Sequence, residues 1–357
     1  MKRFGIHRKH LYRINYFKKK ASMGKLFFIL AAFFFGCFFC GQDVNGAEKD
    51  YKKVIFISSY SYHWGSVTDQ LEGVREGIGN DVDVDYIFMD AKKREEELAQ
   101  ADLVQRLRKD QRAKGGTLDY DLIMVGDDPA LEMCLKYRDE FFKNLPIVFE
   151  GINDVESAKE VAKNPKITGV TEQMPFYETI HLADMLYPQA KNIVAISNGT
   201  NTGNGSLQQY YACEKDYPNL KFSSINTMNY SVEELQKIVS EYDEDTILLC
   251  LMFDRDRTGR KFEMQRGVSW LYDVAKIPSF RADELGIEEG ALGGCMISFR
   301  DMGYRAAKMA KRILNGADPA DMPIVEMPSF YELNWTVMQK FGIGKGALQV
   351  ENVRYRD

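Results

Sequence analysis

Histidine is almost missing from this chain: there are four in 357 residues, two of them within the first ten, which leaves His63 and His181 for everything that follows. A histidine relay or a His-rich metal site has almost no material to work with, and His181 stands in a helical pattern among Ile180, Leu182 and Met185. Cysteine is scarce as well. The four beyond residue 47, Cys134, Cys213, Cys250 and Cys295, follow no zinc or redox spacing; their largely apolar or helical surroundings suit small buried hydrophobes, and no disulfides are expected. Gly-x-Ser-x-Gly is absent, no nucleophile stands beside a base, and the acids are scattered. The expectation is a binder with no catalytic residue, no cofactor and no metal.

Long apolar stretches are lacking too. The run from Leu26 to Cys40 is too short to span a bilayer comfortably, and it follows a basic segment: residues 1–47 hold nine Lys or Arg and a single acid, Asp43. This reads as a signal peptide, with Met23 as an alternative start. Cleavage is expected near Asn45-Gly46-Ala47, or by lipoprotein processing at Cys37, which Phe34-Phe35-Gly36 precedes. Either route places the remainder across the cytoplasmic membrane, attached to it only through the signal or a lipid, at the cell surface or in a periplasmic or extracellular space. The remaining 310 residues carry 38 basic and 51 acidic side chains, a formal charge of −13, which repels phosphate backbones and argues against nucleic acid. Their number suits two lobes rather than one core.

From Tyr51 the chain repeats strand, polar turn and helix, the mark of parallel sheets covered by helices. The expected strands are Val54–Ile57, Val84–Phe88, Leu122–Val125 and Ile147–Phe149, then Ile193–Ile196, Phe222–Ile225, Ile247–Leu251 and a short one at Ile277–Phe280. The fold class is α/β: two doubly wound, Rossmann-like lobes joined by a hinge that the chain crosses several times. The N-terminal lobe takes 51–167 and about 281–321, and the C-terminal lobe takes 168–280 and about 322–345. Crossings are expected near Thr168–Val170, Ser279–Arg281 and Met322–Ile324.

In open α/β sheets ligands sit beyond the carboxyl ends of the strands. After the first strand come Ser59, Tyr60, Tyr62, His63 and Trp64, three large rings in one turn. After the third come Asp127 and Asp128, the latter also a helix cap before Pro129, and after the fourth Glu150 and Asn153. The second lobe offers Asn198, Thr200 and Thr202 in a loop rich in Gly, Asn and Thr. That loop lacks both the Gly-Lys-Ser/Thr ending of a phosphate loop and the spacing of a dinucleotide site. Phe253 and Arg255 follow the most apolar strand, where the Arg255 fork could clamp a carboxylate, and Arg281 follows the last. These rings favour an aromatic or heterocyclic small molecule, with Asp127 and Arg255 reaching it from opposite lobes.

Several segments carry a family resemblance: Phe56-Ile57-Ser58-Ser59-Tyr60, Asp121 to Ala130, Pro146 to Asn153, Ile167-Thr168-Gly169-Val170, Arg255 to Arg260, the Gly293-Gly294 turn and Ile313-Leu314-Asn315-Gly316. Together, over about Tyr51 to Ile343, the chain resembles the ABC transporter substrate-binding proteins of the type I periplasmic-binding fold. The resemblance implies a two-lobed trap with ligand in the interlobe cleft. Relatives serve either as free receptors for an importer or as extracellular sensor domains of histidine kinases and similar chains. With no second apolar span and no kinase, the expected partner is an ABC permease; a membrane signalling receptor is the alternative and a secreted hydrolase the least expected. Tyr62-His63-Trp64 departs from the proline-glycine pattern common at the first turn, which leaves the ligand open.

Overall fold

The central strands are unbroken apolar runs because both of their faces are covered: Leu122–Gly126, Ile147–Ile152 and Thr246–Cys250 are buried at every position. The computed structural model describes residues 51–142, 145–348 and 350–356, and the segment read as a signal peptide, with Cys37, lies outside them. In chain order the elements begin β1 (Lys52–Ser58), α1 (Gly65–Ile78), β2 (Val82–Phe88), α2 (Glu96–Ala113), β3 (Leu122–Gly126), α3 (Asp128–Lys136), α4 (Arg138–Phe141), β4 (Ile147–Ile152), α5 (Val155–Val161) and β5 (Ile167–Thr171). They continue α6 (Phe176–Leu186), β6 (Asn192–Ser197), α7 (Asn201–Ala212), β7 (Lys221–Asn226), α8 (Val232–Ser240), β8 (Thr246–Cys250), α9 (Met264–Val274), β9 (Ser279–Phe280) and β10 (Gly293–Met296). The tail holds α10 (Phe299–Leu314), β11 (Val325–Glu326), β12 (Phe330–Asn334), α11 (Trp335–Lys340) and β13 (Arg354–Arg356). No helix among the described residues is long and apolar enough to cross a membrane.

Two sheets result, one in the order β11-β5-β4-β3-β1-β2 and the other in the order β13-β12-β10-β9-β8-β6-β7. Every pairing is parallel except β10 with β12. Alternate residues of each strand feed opposite cores. In the first lobe Val54, Phe56 and Met124 meet Leu71, Val74 and Met302 of α1 and α10. Ile55, Ile57 and Val125 meet Leu103, Leu107 and Leu131 on the other face. The second lobe repeats this, with Ile193 and Ala195 facing Ile180 and Tyr210, and Val194 and Ile196 facing Val232, Leu235 and Leu271.

Helices α1 and α10 approach through glycines. A Cβ at Gly73 would lie 1.9 Å from the Arg300 carbonyl oxygen, and one at Gly303 would lie 2.1 Å from that of Gln70. The two backbones are in direct contact, and nothing larger than glycine fits between them without moving one helix.

The crossings fall later than the sequence suggests. β5 belongs to the first sheet, where it pairs with β4, so the chain first passes over at 172–175. It then stays in the second sheet through β9 and β10 and returns only at 297–298, before a last passage at 327–329 brings it back to β12. Residues 281–296 thus sit with the C-terminal lobe, and Met322–Glu326 with the N-terminal one. The Gly293-Gly294 pair misleads because it reads as a turn. It is strand: Cβ atoms there would sit 2.1 Å from the Glu332 carbonyl oxygen and 2.3 Å from that of Arg281, so glycine is what lets β10 pair at all.

Candidate ligand-binding site

The carboxyl ends of the two sheets face each other, and a cavity of about 60 Å³ lies between them. Tyr60, Trp64, Asp127 and Glu172 line it from the first lobe; Thr202, Ser206, Met252 and Asp283 line it from the second. Outside it a cleft of about 570 Å³ is bordered by Asp128, Asn153, Thr200, Arg255 and Lys261, with Lys92 and Tyr60 common to both spaces. The lobes touch here: Lys92 Nζ donates to Thr202 Oγ1 at 2.8 Å, and Lys261 Nζ donates to the Lys92 and Lys93 carbonyls at 3.3 and 3.4 Å.

Local backbone sets each side chain. The turn after β1 is pinned by Ser59, whose hydroxyl donates to the Gly126 carbonyl and accepts from the Ala130 amide at 2.9 Å. This presents Tyr60 and Trp64 as a tilted pair, ring centroids 6.2 Å apart. Asp127 takes the cap position of α3 with φ 67° and ψ 164°, a region nearly reserved for glycine. Its side chain does not cap the helix; it turns inward, where Oδ2 is buried and has no hydrogen-bond partner. Asp128 is not the cap either, since its carboxylate accepts from the backbone and side-chain nitrogens of Asn153.

Burial dominates the electrostatics. It pushes the Asp127 carboxyl up to about 8, with the Asp128 charge adding and Lys92 opposing. It also raises Glu150 and Glu172 far above the usual carboxylate range, with Asp127 reinforcing both. The Tyr60 phenol rises for the same reason, and the Lys92 ammonium is pulled down by burial against the pull of Asp254 and Asp127. A closed space with protonatable carboxyls, two rings and neutral hydroxyls suits a small ligand with an apolar ring and a polar end. Among the described residues no cluster of His, Cys, Asp and Glu is arranged to hold a metal.

The family model described as "ABC transporter substrate binding protein" matches residues 65–348. The chain belongs to that family. A tyrosine-binding protein of Clostridioides difficile strain R20291 is 23% identical over 227 residues, 60% of this chain and 61% of that protein. The match thus spans less than two thirds of that relative's length. Among solved structures, a domain from Streptococcus pneumonia in complex with L-Trp shares 18% identity at a TM-score of 0.59, covering 85% of this chain and 99% of its own. A ligand-free, open substrate binding protein with adhesive properties from Clostridium difficile has the same identity and TM-score, covering 86% and 99%. These likenesses carry the fold, two α/β lobes of the type I periplasmic-binding kind.

In this substrate-binding protein the residues expected from the sequence divide. Tyr60, Trp64, Asp127, Asn153 and Thr202 line the inner cavity, and Asp128, Thr200 and Arg255 border the outer cleft. Others do not reach either space. Phe253 is fully buried against Phe262 and Met264 on the far face of the second sheet. Tyr62 points to solvent beside Phe88, because the turn directs alternate rings in opposite senses. Arg281 is buried, its fork held by both oxygens of Asp283 and by the Cys250 carbonyl, so Asp283 lines the cavity in its place. Glu150 and Ser59 are buried behind Asp127 and Tyr60, and Asn198 orients its neighbours, donating to Asp254 and accepting from Thr200. The Arg255 fork is already occupied, 3.0 and 3.1 Å from the Asp254 carboxylate. The loop expected at 198–205 is largely the first turn of α7, because the Thr200 hydroxyl accepts from the Gly203 amide and caps it.

Lys92, Glu172 and Asp283 escaped the sequence reading. Lys92 obeys the rule that finds the others, since it follows the carboxyl end of β2. Glu172 is the first residue past β5, hidden because that strand reads as a crossing.

Proposed function

We propose that this chain traps a small aromatic molecule between its lobes, outside the cytoplasmic membrane, and passes it unchanged to an ABC importer. The observation that carries this reading is the inner cavity, built from both lobes and flanked by Tyr60 and Trp64. The tyrosine and tryptophan bound by the two relatives make aromatic amino acids the first ligands to test. A ligand of this kind, which binds the closed form better than the open one, shifts the protein towards closure about the three crossings.

The test is titration with L-tyrosine and L-tryptophan, followed by thermal unfolding and solution scattering. The binding partner should raise the melting temperature by mass action and lower the radius of gyration. Trp64→Ala should weaken binding by about 1 to 3 kcal/mol, the scale of losing an aromatic anchor, with the fold intact. Unfolding of that variant with unchanged binding per folded molecule would make the ring core, and turnover of the ligand would overturn the reading. The leader reading carries its own prediction: Cys37→Ser should release into solution a protein that is otherwise held at the membrane, and equal retention of both forms would exclude lipidation at that cysteine.

A further inference from the structure

The inner cavity already contains an ammonium group, supplied by the protein itself. Lys92 Nζ lies 4.7 Å from the centre of the Tyr60 ring and 5.3 Å from that of Trp64. It bonds to Thr202 across the cleft and is within electrostatic reach of Asp254, Asp127 and Glu172. Two aromatic faces, a hydroxyl and carboxyls from both lobes are what a primary ammonium requires when it leaves water. Asp127 supports the assignment independently. It is 4% exposed, lines the cavity, and keeps Oδ2 without a partner while bearing a backbone strain that aims it inward.

The lysine stands on an irregular segment whose start is tied to the end of β1, the Met89 and Ala91 amides donating to the Ser58 and Ser59 carbonyls at 2.9 Å. Residues 89–95 between β2 and α2 contain no helix or strand, with Asp90 at φ 61°. The backbone of this segment meets the opposite lobe through Lys261, which donates to the Lys92 and Lys93 carbonyls, while the Lys92 side chain meets it through Thr202. Withdrawing Nζ by rotation of its own stem leaves the fold of both lobes untouched.

We infer that Tyr60, Trp64, Asp127 and Thr202 form a subsite for the protonated amine of the ligand, and that Lys92 Nζ, which sits in it, competes with that amine for the same partners. The inference rests on the cavity being the ligand site and names the ligand's class: a small molecule with a primary ammonium beside its ring. It also assigns Lys92 a role in selectivity, because a neutral or anionic molecule gains nothing by expelling the lysine.

The experiment removes the tethered amine and supplies a free one. Lys92→Ala deletes the propylammonium end of the side chain, so n-propylammonium is the probe and 1-propanol its neutral counterpart. Binding is read from intrinsic tryptophan fluorescence and from the melting temperature. Propylammonium should bind Lys92→Ala at least about tenfold more tightly than the wild type, and 1-propanol should not distinguish them. Lys92→Met, which keeps the stem and deletes only the ammonium, serves the same comparison with the ammonium ion should the alanine variant fold poorly. Adding Asp127→Asn to either variant should abolish the gain when binding is read at about pH 9, where Asp127 is ionised and an alkylammonium still holds its proton. Equal binding to variant and wild type, or equal effect of the alcohol, would overturn the inference. The outcome is independent of the transported molecule: rescue with no binding of aromatic amino acids would strike the proposed ligand and leave the ammonium subsite standing.

Discussion

Replacing Arg281 with methionine is expected to lower the free energy of unfolding by about 3 to 5 kcal/mol, the range for breaking a buried ion pair from one side. The guanidinium is 1% exposed and makes a two-pronged bond to Asp283 while donating to the Cys250 carbonyl at 2.7 Å. Methionine keeps the apolar stem but lacks the guanidinium and returns nothing to those acceptors, so Asp283 is left as a nearly buried carboxylate without its cation beside the cavity. Urea denaturation at neutral pH measures the loss. The double change Arg281→Met with Asp283→Leu should recover much of it, because replacing both partners removes the stranded charge. A cost below about 1 kcal/mol for the single variant would show that water reaches the pair.

The second large effect is in the pH dependence of stability. Asp127 in the folded protein holds its proton up to about 8, whereas an unfolded aspartate releases it near 4. Between those values the native state binds the extra proton, so this group's contribution is complete below about pH 4 and is lost as the pH rises towards 8. Each unit of displacement is worth about 1.4 kcal/mol, which places the loss on the order of several kcal/mol. Glu150 and Glu172 are displaced in the same direction and steepen the fall. The groups facing Asp127 are Asp128 next to it in the chain, Glu150 from the neighbouring β4, Glu172 from the first crossing, Tyr60 from the turn after β1, and Lys92, the cation among them. Asp127→Asn keeps the shape and carries no proton to lose. It should be near neutral at pH 5 and more stable than the wild type by roughly 3 kcal/mol at pH 8, measured as the difference between the two denaturation curves. Parallel profiles for the two proteins would mean that Asp127 ionises normally.

Much of the fold was legible because both sheets are covered on two faces, so that apolar runs such as Leu122–Val125 and Ile247–Leu251 announce themselves. The crossings were less so. A parallel strand at the margin of a sheet, like β5 with its Gly169, carries the same short, mixed signal as a connector, and the glycines of β10 mimic a turn. In the site, the strand-end rule found Tyr60, Trp64, Asp127 and Thr202, but it cannot tell which residue of a turn faces inward. Tyr62 and Trp64 are two positions apart and part company because Trp64 takes the cap position of α1. Phe253 and Arg281 fail for a related reason: a strand end supplies both the cavity wall and the packing behind it, and only Asp283 shows which side Arg281 serves.

The glycine contact between α1 and α10 has a mechanical consequence. Trp64 immediately precedes α1, and the crossing at 297–298 immediately precedes α10, whose first residue, Phe299, also borders the cavity. At Gly73 and Gly303 the two backbones meet with no side chain between them, so neither helix can slide along the other there without the pair separating. An incoming ring that shifts the indole therefore acts on the start of α1 and, through the glycine contact, on α10 and the second crossing just before it.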